Sequence, residues 1–190
     1  MTPLVFLLKP PTSPNTLFID RDGILNHAVT RGTEISSPRS MEEFKITEDI
    51  EALVPISRDW NLVVITNQPD ITRGLIDDKL LRHFHERFLK HVSLNVVYAC
   101  PHLKTDGCGC RKPAIGMIQK FRKDFPEAQK KEWFVGDGQR DKECAAAAHM
   151  PFILRKRPYN LDLVPSTQFV IDQLWDLPAT LSKNKLTTGS

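Results

Sequence analysis

Two acids that could carry out phosphoryl transfer, Asp20 and Asp22, follow a short apolar run. A carboxylate can attack phosphorus to give an aspartyl-phosphate, so Asp20 is a candidate nucleophile. Asp22 is a candidate general acid for the departing oxygen and general base for the water that follows. Gly23 lets the chain turn sharply after them. An ordinary acidic turn would look the same, because motifs this short occur by accident.

A second acidic segment, around Asp137, follows another apolar run. Magnesium prefers hard oxygen ligands and is usually held by one or two carboxylates together with a substrate phosphate. Asp20 and Asp137 are therefore candidate magnesium ligands. Asp141 could orient that ligand or the metal-bound waters, or it could cap the helix that begins there. These two roles are compatible.

Groups that could hold a phosphoryl group occur in two further places. Thr66 and Asn67 end an apolar run and could donate hydrogen bonds to phosphoryl oxygens. Lys112 adds the fixed positive charge that a phosphoryl-transfer transition state requires. Arg111 beside it could bind a second anionic or hydroxyl-rich part of the substrate. Taken alone, Arg111 and Lys112 are also typical of solvated surface charges.

Three cysteines and one histidine, namely Cys100, His102, Cys108 and Cys110, fall within eleven residues. Three cysteines with one histidine are a common tetrahedral zinc set, and four protein ligands leave no open position for water. We therefore predict a structural zinc that fixes the loop carrying Arg111 and Lys112. The alternative is a set of free surface thiols.

One further cysteine and three further histidines are predicted to have no chemical role. Cys144 lies in a run of small residues and is typical of a buried core thiol. The spacings of His83, His85 and His91 do not gather them on one helix face, so we interpret them as surface side chains and not ligands.

Five apolar runs predict buried strands: Leu17 to Ile19, Leu62 to Ile65, Val96 to Tyr98, Trp133 to Val135 and Phe152 to Leu154. Four stretches have helical patterning: Ile46 to Asp59, Asp77 to Val92, Ile115 to Asp124 and Asp141 to His149. This alternation predicts an α/β fold, an open doubly wound (Rossmann-like) parallel sheet with helices on both faces. The candidate groups would then share the edge formed by the carboxyl ends of the strands, where such sheets bind ligands.

The segments outside these elements complete the predicted organisation. Residues 1–15 would form an extended lead-in with a small edge strand, and residues 182–190 a flexible tail. The long polar segment from His27 to Glu43 is interpreted as a loop or flap, and loops at that edge are often functional lids. We expect one domain over residues 1–190.

The composition excludes several classes of protein. Of the 190 residues, 41% are hydrophobic and 26% are charged, which is ordinary for a soluble globular protein. The formal net charge of +3 is small, so no nucleic-acid partner is required. No apolar run is long enough for a bilayer, and no signal-peptide pattern is present. We expect a cytoplasmic monomer that acts on a small phosphorylated metabolite, with no nucleic-acid or membrane partner.

With these residues in place, the sequence resembles the haloacid dehalogenase superfamily of phosphatases. Its four signatures occur in order: Asp20-Arg21-Asp22-Gly23, Thr66-Asn67, Lys112, and Gly136-Asp137 with Asp141. More narrowly, the chain resembles the D-glycero-D-manno-heptose 1,7-bisphosphate phosphatases, neighbours of the histidinol-phosphate phosphatases. That likeness spans about residues 16 to 180. It is carried by Asp20 to Asn26, Thr66 to Gln68 with Arg73-Gly74, and Cys100-Pro101-His102 through Cys110-Arg111-Lys112-Pro113.

The resemblance implies a phosphoric monoester hydrolase that removes the 7-phosphate of a heptose bisphosphate. It implies a catalytic set of Asp20 (nucleophile), Asp22 (acid and base), Thr66 and Lys112. It implies Mg²⁺ on Asp20, Asp137 and the Asp22 carbonyl, and Zn²⁺ on Cys100, His102, Cys108 and Cys110. The substrate contacts that it implies are Asn67, Gln68, Pro69, Arg111 and Lys112.

Three departures from the family pattern concern the substrate. The family usually has Ser-Gly where this chain has Pro69-Asp70, and a lysine where Gly138 stands. The loop after Asn26 is longer and differently composed. A histidinol-phosphate phosphatase or another small sugar-phosphate phosphatase therefore stays open as an alternative. A polynucleotide 3′-phosphatase and a non-catalytic binding module on the same fold are further alternatives.

Overall fold

The computed structural model describes residues 1–182. Its strands are β1 (Leu4–Leu7), β2 (Asn15–Ile19), β3 (Val29–Arg31), β4 (Glu34–Ser36), β5 (Asn61–Asn67), β6 (Val96–Cys100), β7 (Lys131–Gly136), β8 (Phe152–Arg155) and β9 (Phe169–Ile171). Its α-helices are α1 (Leu53–Ile56), α2 (Asp78–Phe88), α3 (Gly116–Asp124), α4 (Gln139–Ala147) and α5 (Leu177–Ser182). The tail predicted for residues 182–190 lies outside the described residues, apart from residue 182.

Seven strands form one sheet in the order β1-β6-β5-β2-β7-β8-β9. Every neighbouring pair is parallel except β1 with β6, which is antiparallel. The chain runs outward from β2 in both directions, through β5 and β6 on one side and through β7, β8 and β9 on the other. The predicted α/β fold, an open doubly wound sheet, is confirmed, and β2 lies at the point where the strand order reverses.

Alternate residues of the central strands pack on opposite faces of the sheet. Leu17 and Ile19 of β2 belong to a core that includes residues of α1, α2 and α5. Phe18 between them belongs to a second core that includes residues of α3 and α4. Since both faces are covered, these strands are apolar throughout and not alternating. The helices on both faces, which the alternation of strand and helix patterns predicted, are confirmed.

The five predicted strands are all present, and three of the four predicted helices are present at slightly different bounds. The helix predicted over Ile46 to Asp59 was wrong, because the structure has only a 3₁₀ turn at Ile50–Ala52 followed by α1. Pro55 has no N–H and is tolerated only in a first helical turn, so a helix containing it cannot start at Ile46. The Thr47 hydroxyl also donates to the Ile24 carbonyl at 3.0 Å, which fixes the chain before α1.

The segment interpreted as a loop or flap is not irregular throughout. β3 and β4 pair as an antiparallel hairpin, with Arg31 opposite Glu34 and Gly32 in the left-handed region at φ 62°. The two-residue connection requires positive φ, which glycine adopts without strain. This hairpin and its flank, residues 28–39, form what we call the cap segment. The cap segment lies at the same sheet edge as Asp20, because several of its residues line the same cavity.

His85 contradicts the prediction that all three histidines of α2 and its C-terminal flank are surface residues. It is 1% exposed and packs edge-on against the Phe6 ring at 4.9 Å. The position follows from the helix, because His85 lies four residues after the buried Leu81. Burial, with Arg21 and Arg82 nearby, lowers the pKa of His85 well below its usual value, so the ring is neutral. Cys144 is buried, as predicted.

No helix within residues 1–182 combines the length and the apolar character needed to cross a membrane. The single domain predicted over residues 1–190 and its lead-in over residues 1–15 stay predictions. Within that lead-in, the structure places β1 at the edge of the sheet.

Candidate active site and metal centre

The carboxyl ends of four neighbouring strands bring the predicted groups together. Asp20 follows β2, Thr66 and Asn67 end β5, Cys100 ends β6, and Asp137 follows β7. A cavity of about 670 Å³ opens at this edge. Its lining includes Asp20, Asp22, Thr66, Asn67, Pro69, Arg111, Lys112, Asp137 and Asp141.

Lys112 is the buried cation of the site. Its Nζ lies 2.6 Å from Asp20 Oδ1 and 2.6 Å from Asp141 Oδ1, and the side chain is 3% exposed. Burial lowers the pKa of Lys112, but the two adjacent carboxylates outweigh burial and hold the pKa above its usual value. Lys112 is therefore a fixed positive charge, as predicted for a group that stabilises a phosphoryl transition state.

Three carboxylates cluster beside this lysine: one oxygen from each of Asp20, Asp137 and Asp141 lies within 4.8 Å of the other two. Burial, followed by the Asp141 charge, raises the pKa of Asp20 well above its usual value. The same two causes raise the pKa of Asp137 to about 7. Three acids against one lysine leave excess negative charge in a buried place, so the residues present fit a hard divalent cation such as Mg²⁺.

The carboxylate cluster contains Asp141 in addition to the predicted magnesium ligands Asp20 and Asp137. The Asp22 carboxylate is not in this cluster and is held by donors from Arg21, Asn26, Ser37 and Gln68. The predicted contribution of the Asp22 backbone carbonyl stays a prediction. Asp141 also accepts a hydrogen bond from Gly138 N at 3.0 Å at the start of α4, so it caps that helix, one of the two roles left open by the sequence. Its predicted role in orienting the metal ligand or the metal-bound waters stays a prediction.

A pH dependence follows from Asp137. Its pKa is about 7 in the folded, metal-free protein against an ordinary value of 3.8, so between these values the folded state binds more protons than the unfolded state. The free energy of unfolding should therefore fall as the pH rises through this window. A cation on the carboxylates competes with those protons, so stabilisation by Mg²⁺ should increase over the same window.

Thermal unfolding with and without Mg²⁺, at several pH values between about 5 and 8, measures this increase. The variant Asp137→Asn should abolish it, and Asp162→Asn, at an exposed acid, should leave it unchanged. A magnesium-induced rise in Tm that is the same across the pH range would contradict the assignment.

Asn67 and Gln68 were predicted to contact substrate, and the structure gives both of them bonds to protein. The Asn67 amide exchanges two hydrogen bonds with the backbone of Lys112, at 3.1 and 3.0 Å, so it positions that lysine. Gln68 is fully buried and donates to Asp22 at 2.9 Å and to Thr66 at 2.8 Å. Gln68 therefore orients the acid rather than the substrate. Pro69 does line the cavity.

Residues after β8 donate hydrogen bonds to both acidic segments of the site, and they were not predicted from the sequence. Tyr159 donates a short hydrogen bond to Asp137 Oδ2, and Asn160 Nδ2 donates to the Asp137 carbonyl at 2.6 Å. Arg157 donates to the Gly23 carbonyl at 2.7 Å. Since β8 is parallel to β7, the strand-end rule applied to β8 would have placed these residues at the same edge.

Gly23 must be a glycine because the D-x-D-G turn lies against Asp137. A Cβ at Gly23 would lie 1.8 Å from Asp137 Oδ2 and 2.6 Å from the Tyr159 hydroxyl, and the residue has φ 85°. Any side chain would therefore clash with the acid cluster as well as strain the turn. The predicted sharp turn is present, and its second function is to let the two acidic segments approach.

The Cys₃His set is also assembled. The three Sγ–Sγ distances are 3.4, 3.6 and 3.7 Å, and His102 Nδ1 lies 3.2 Å from Cys110 Sγ and 3.5 Å from Cys100 Sγ. A tetrahedral ion with Zn–S bonds of about 2.3 Å would space its sulfurs about 3.8 Å apart, so the arrangement fits Zn²⁺. Cys100 and Cys110 are buried, and Cys108 is partly buried. These residues are not free surface thiols.

The cysteine cluster is connected directly to the charged end of the active site. Arg111 NH1 donates to the His102 carbonyl at 3.1 Å, and Arg111 follows Cys110 in the chain. Lys112 comes next and reaches Asp20. An ion bound by the cluster would therefore fix the loop that delivers both cations.

The fold and the acid cluster define a class, the haloacid dehalogenase-like phosphatases. Residues 20–156 match the family described as polynucleotide kinase 3 phosphatase, and the chain belongs to that family. It is a phosphoric monoester hydrolase.

Similar proteins agree with this class. The D-glycero-beta-D-manno-heptose-1,7-bisphosphate 7-phosphatase of Pseudomonas aeruginosa is 33% identical over 151 residues, which are 76% of this chain and 82% of that protein. The histidine biosynthesis bifunctional protein of Legionella pneumophila is 27% identical over 157 residues, which are 79% of this chain and 44% of that protein.

Among solved structures, the D,D-heptose 1.7-bisphosphate phosphatase of B. bronchiseptica, complexed with magnesium and phosphate, is similar with a TM-score of 0.76 and 24% identity. The alignment covers 90% of this chain and 99% of that one.

Proposed function

We propose that the protein is a magnesium-dependent phosphatase that removes the 7-phosphate of D-glycero-D-manno-heptose 1,7-bisphosphate through an aspartyl-phosphate on Asp20. The observation that carries the chemistry is the buried contact of Asp20 with Lys112 inside the carboxylate cluster, at the mouth of the cavity. The observation that supports the substrate assignment is the 33% identity to a phosphatase that is named for this heptose bisphosphate.

The positions of the site residues suit them to separate steps of phosphoryl transfer. Lys112 binds Asp20 Oδ1 and leaves Oδ2 to attack phosphorus, while the ammonium group balances the charge of the phosphoryl oxygens. Asp22 gives a proton to the leaving oxygen and later takes one from the attacking water. Asp20 and Asp137 would hold Mg²⁺, with Asp141 beside them, and the bound ion would neutralise charge on the phosphoryl oxygens.

Arg111 suits the second phosphate of a bisphosphate. It lines the same cavity as Lys112, and its side chain donates a hydrogen bond to the His102 backbone carbonyl and not to an acid. A planar guanidinium can bind phosphate with two parallel hydrogen bonds, which an ammonium group cannot do. Zn²⁺ on the Cys₃His set would fix Arg111 in the lining of the cavity.

The variant Arg111→Ala should therefore raise the KM for heptose 1,7-bisphosphate by about tenfold or more and leave hydrolysis of a monophosphate nearly unchanged. Steady-state phosphate release from the bisphosphate and from p-nitrophenyl phosphate gives the comparison. Lys123→Ala, at an exposed cation of α3, is the matched control. Equal losses on both substrates would contradict a role in binding the second phosphate.

The experiment that tests the function is magnesium-dependent phosphate release from both anomers of heptose 1,7-bisphosphate, histidinol phosphate and a 3′-phosphorylated oligonucleotide. The proposal expects the highest kcat/KM on a heptose bisphosphate. Preference for histidinol phosphate would contradict the proposed substrate but not the proposed reaction. The same holds for preference for the oligonucleotide, the kind of substrate that the name of the matching family indicates. No turnover on any of them would favour another sugar phosphate or a non-catalytic module. The monomeric state and the cytoplasmic location stay predictions.

A further inference from the structure

The cap segment contributes a hydroxyl to the proposed acid and base. Ser37, directly after β4, donates from Oγ to Asp22 Oδ2 at 2.8 Å. The contact joins residues 15 positions apart and brings the cap segment onto the catalytic side of the cavity. The sequence reasoning gave Ser37 no role, and the inference drawn from it rests on the function proposed for Asp22.

The Asp22 carboxylate is surrounded by hydrogen-bond donors. It accepts hydrogen bonds from the guanidinium of Arg21, the amide nitrogens of Asn26 and Gln68, and the hydroxyl of Ser37. Arg21 and Asn26 belong to the turn that carries Asp22 itself, and Gln68 directly follows β5. Among these partners, Ser37 alone comes from the cap segment.

Ser37 is held in place by ion pairs of the cap segment. Arg31 NH2 donates to the Ser37 carbonyl at 3.1 Å, and the same guanidinium binds Glu43 at 2.9 and 2.5 Å. On the other side, Arg39 Nε donates to Asp70 Oδ2 at 2.7 Å, which ties the segment to the loop after β5. Asp70 is also bound by Arg73 at 2.9 Å. The hydroxyl is therefore presented by an anchored segment and not by a freely moving loop.

We propose that Ser37 is a positioning residue that holds the Asp22 carboxylate in the orientation from which it acts as acid and base. Its hydrogen bond to Oδ2 is the contact by which the anchored cap segment fixes that carboxylate beside the cavity. Without the hydroxyl, Asp22 loses this contact and is less well aligned to give a proton to the leaving oxygen. Ser37 itself neither loses nor gains a proton.

The test uses leaving groups that need the acid to different extents. An alkyl phosphate must be protonated as its alcohol leaves, whereas p-nitrophenyl phosphate loses a stable phenolate without that help. Ser37→Ala should lower kcat/KM for the alkyl phosphate by about tenfold, the worth of one hydrogen bond to a charged group. For p-nitrophenyl phosphate the same variant should change kcat/KM by less than about twofold. The parameter kcat/KM reports the steps up to release of the leaving group, which isolates the acid step.

Two further variants separate positioning from a general loss of structure. Ser37→Thr keeps the hydroxyl and should restore most of the alkyl phosphate activity. Ser40→Ala removes a hydroxyl from the adjoining chain, which bonds to the Glu43 backbone and not to Asp22, and should leave both substrates unaffected. Equal losses on both substrates in Ser37→Ala, or no loss on either, would overturn the inference. A wild-type protein that hydrolyses neither substrate would instead overturn the proposed function on which the inference rests.

Discussion

An Asp20→Asn variant should lose phosphatase activity by about 10⁴-fold or more and keep its fold. The amide that replaces the carboxylate is too weak a nucleophile to attack phosphorus, and it replaces one of the two carboxylates assigned to Mg²⁺ with a neutral group. Lys112 keeps its contact to Asp141 at 2.6 Å in the variant, so the buried ammonium group is not left unpaired. Loss of one negative charge from three clustered acids also relieves repulsion.

Phosphate release on the best substrate, with circular dichroism and thermal unfolding of the same sample, checks both parts of this prediction. Asp162→Asn makes the same chemical change at an exposed acid outside the cavity and should retain full activity. Wild-type turnover by a homogeneous Asp20→Asn preparation would remove Asp20 from the role of nucleophile. An unfolded variant would instead show that the acid is needed to hold Lys112.

A Cys108→Ser variant should lose bound zinc, unfold at a markedly lower temperature and release phosphate at least tenfold more slowly. Structural zinc contributes about 10–16 kcal/mol in small zinc domains, so even partial loss is large against the stability of a domain. The activity falls indirectly, because the cluster holds the His102 carbonyl that Arg111 binds and precedes Lys112 in the chain.

The prediction for Cys108→Ser is tested by three measurements on the purified protein: its zinc content, its Tm and its kcat/KM. Cys144→Ala provides the matched control, because Cys144 is a buried cysteine outside the Cys₃His set, and its loss should cost some stability but no zinc. Burial raises the pKa of Cys100, so a metal-free cluster holds that thiol protonated and binding of an ion must release protons. An unchanged zinc content in Cys108→Ser would refute the ligand assignment.

The strand-end rule predicted much of the fold and of the site from sequence. The five buried strands could be predicted because each is a continuous run of branched apolar residues, which is a local signal. The turn of the D-x-D-G motif could be predicted because its glycine is also a local signal. Parallel order then places Asp20, Thr66 and Asp137 at one edge without knowledge of side-chain positions.

The rest of the site depends on contacts between segments that are distant in sequence. Tyr159 bonds to Asp137, which lies 22 positions earlier in the chain. Ser37 bonds to Asp22 and directly follows a short polar hairpin, β3–β4, that has no apolar strand pattern to predict it from. Gln68 and Asn67 have the side chains expected of substrate ligands, and each bonds to a residue proposed to act in catalysis. Asn67 also lines the cavity, whereas Gln68 is fully buried. Side-chain type alone does not tell a residue that touches substrate from one that orients its neighbour. The helix predicted from Ile46 failed for a related reason, because tertiary bonds of Thr47 outweighed local helical pattern.

If the phosphoryl group passes through Asp20, a phosphoenzyme must form, and its detection is the most direct measurement. Asp22→Asn should still accept a phosphoryl group from p-nitrophenyl phosphate, which needs no acid, but it lacks the base that hydrolyses the intermediate. After acid quench, peptide mass spectrometry should find one phosphoryl group on Asp20, and borohydride reduction should convert that residue to homoserine. A burst of one nitrophenol per enzyme with the phosphoryl group on another residue, or on none, would contradict the account.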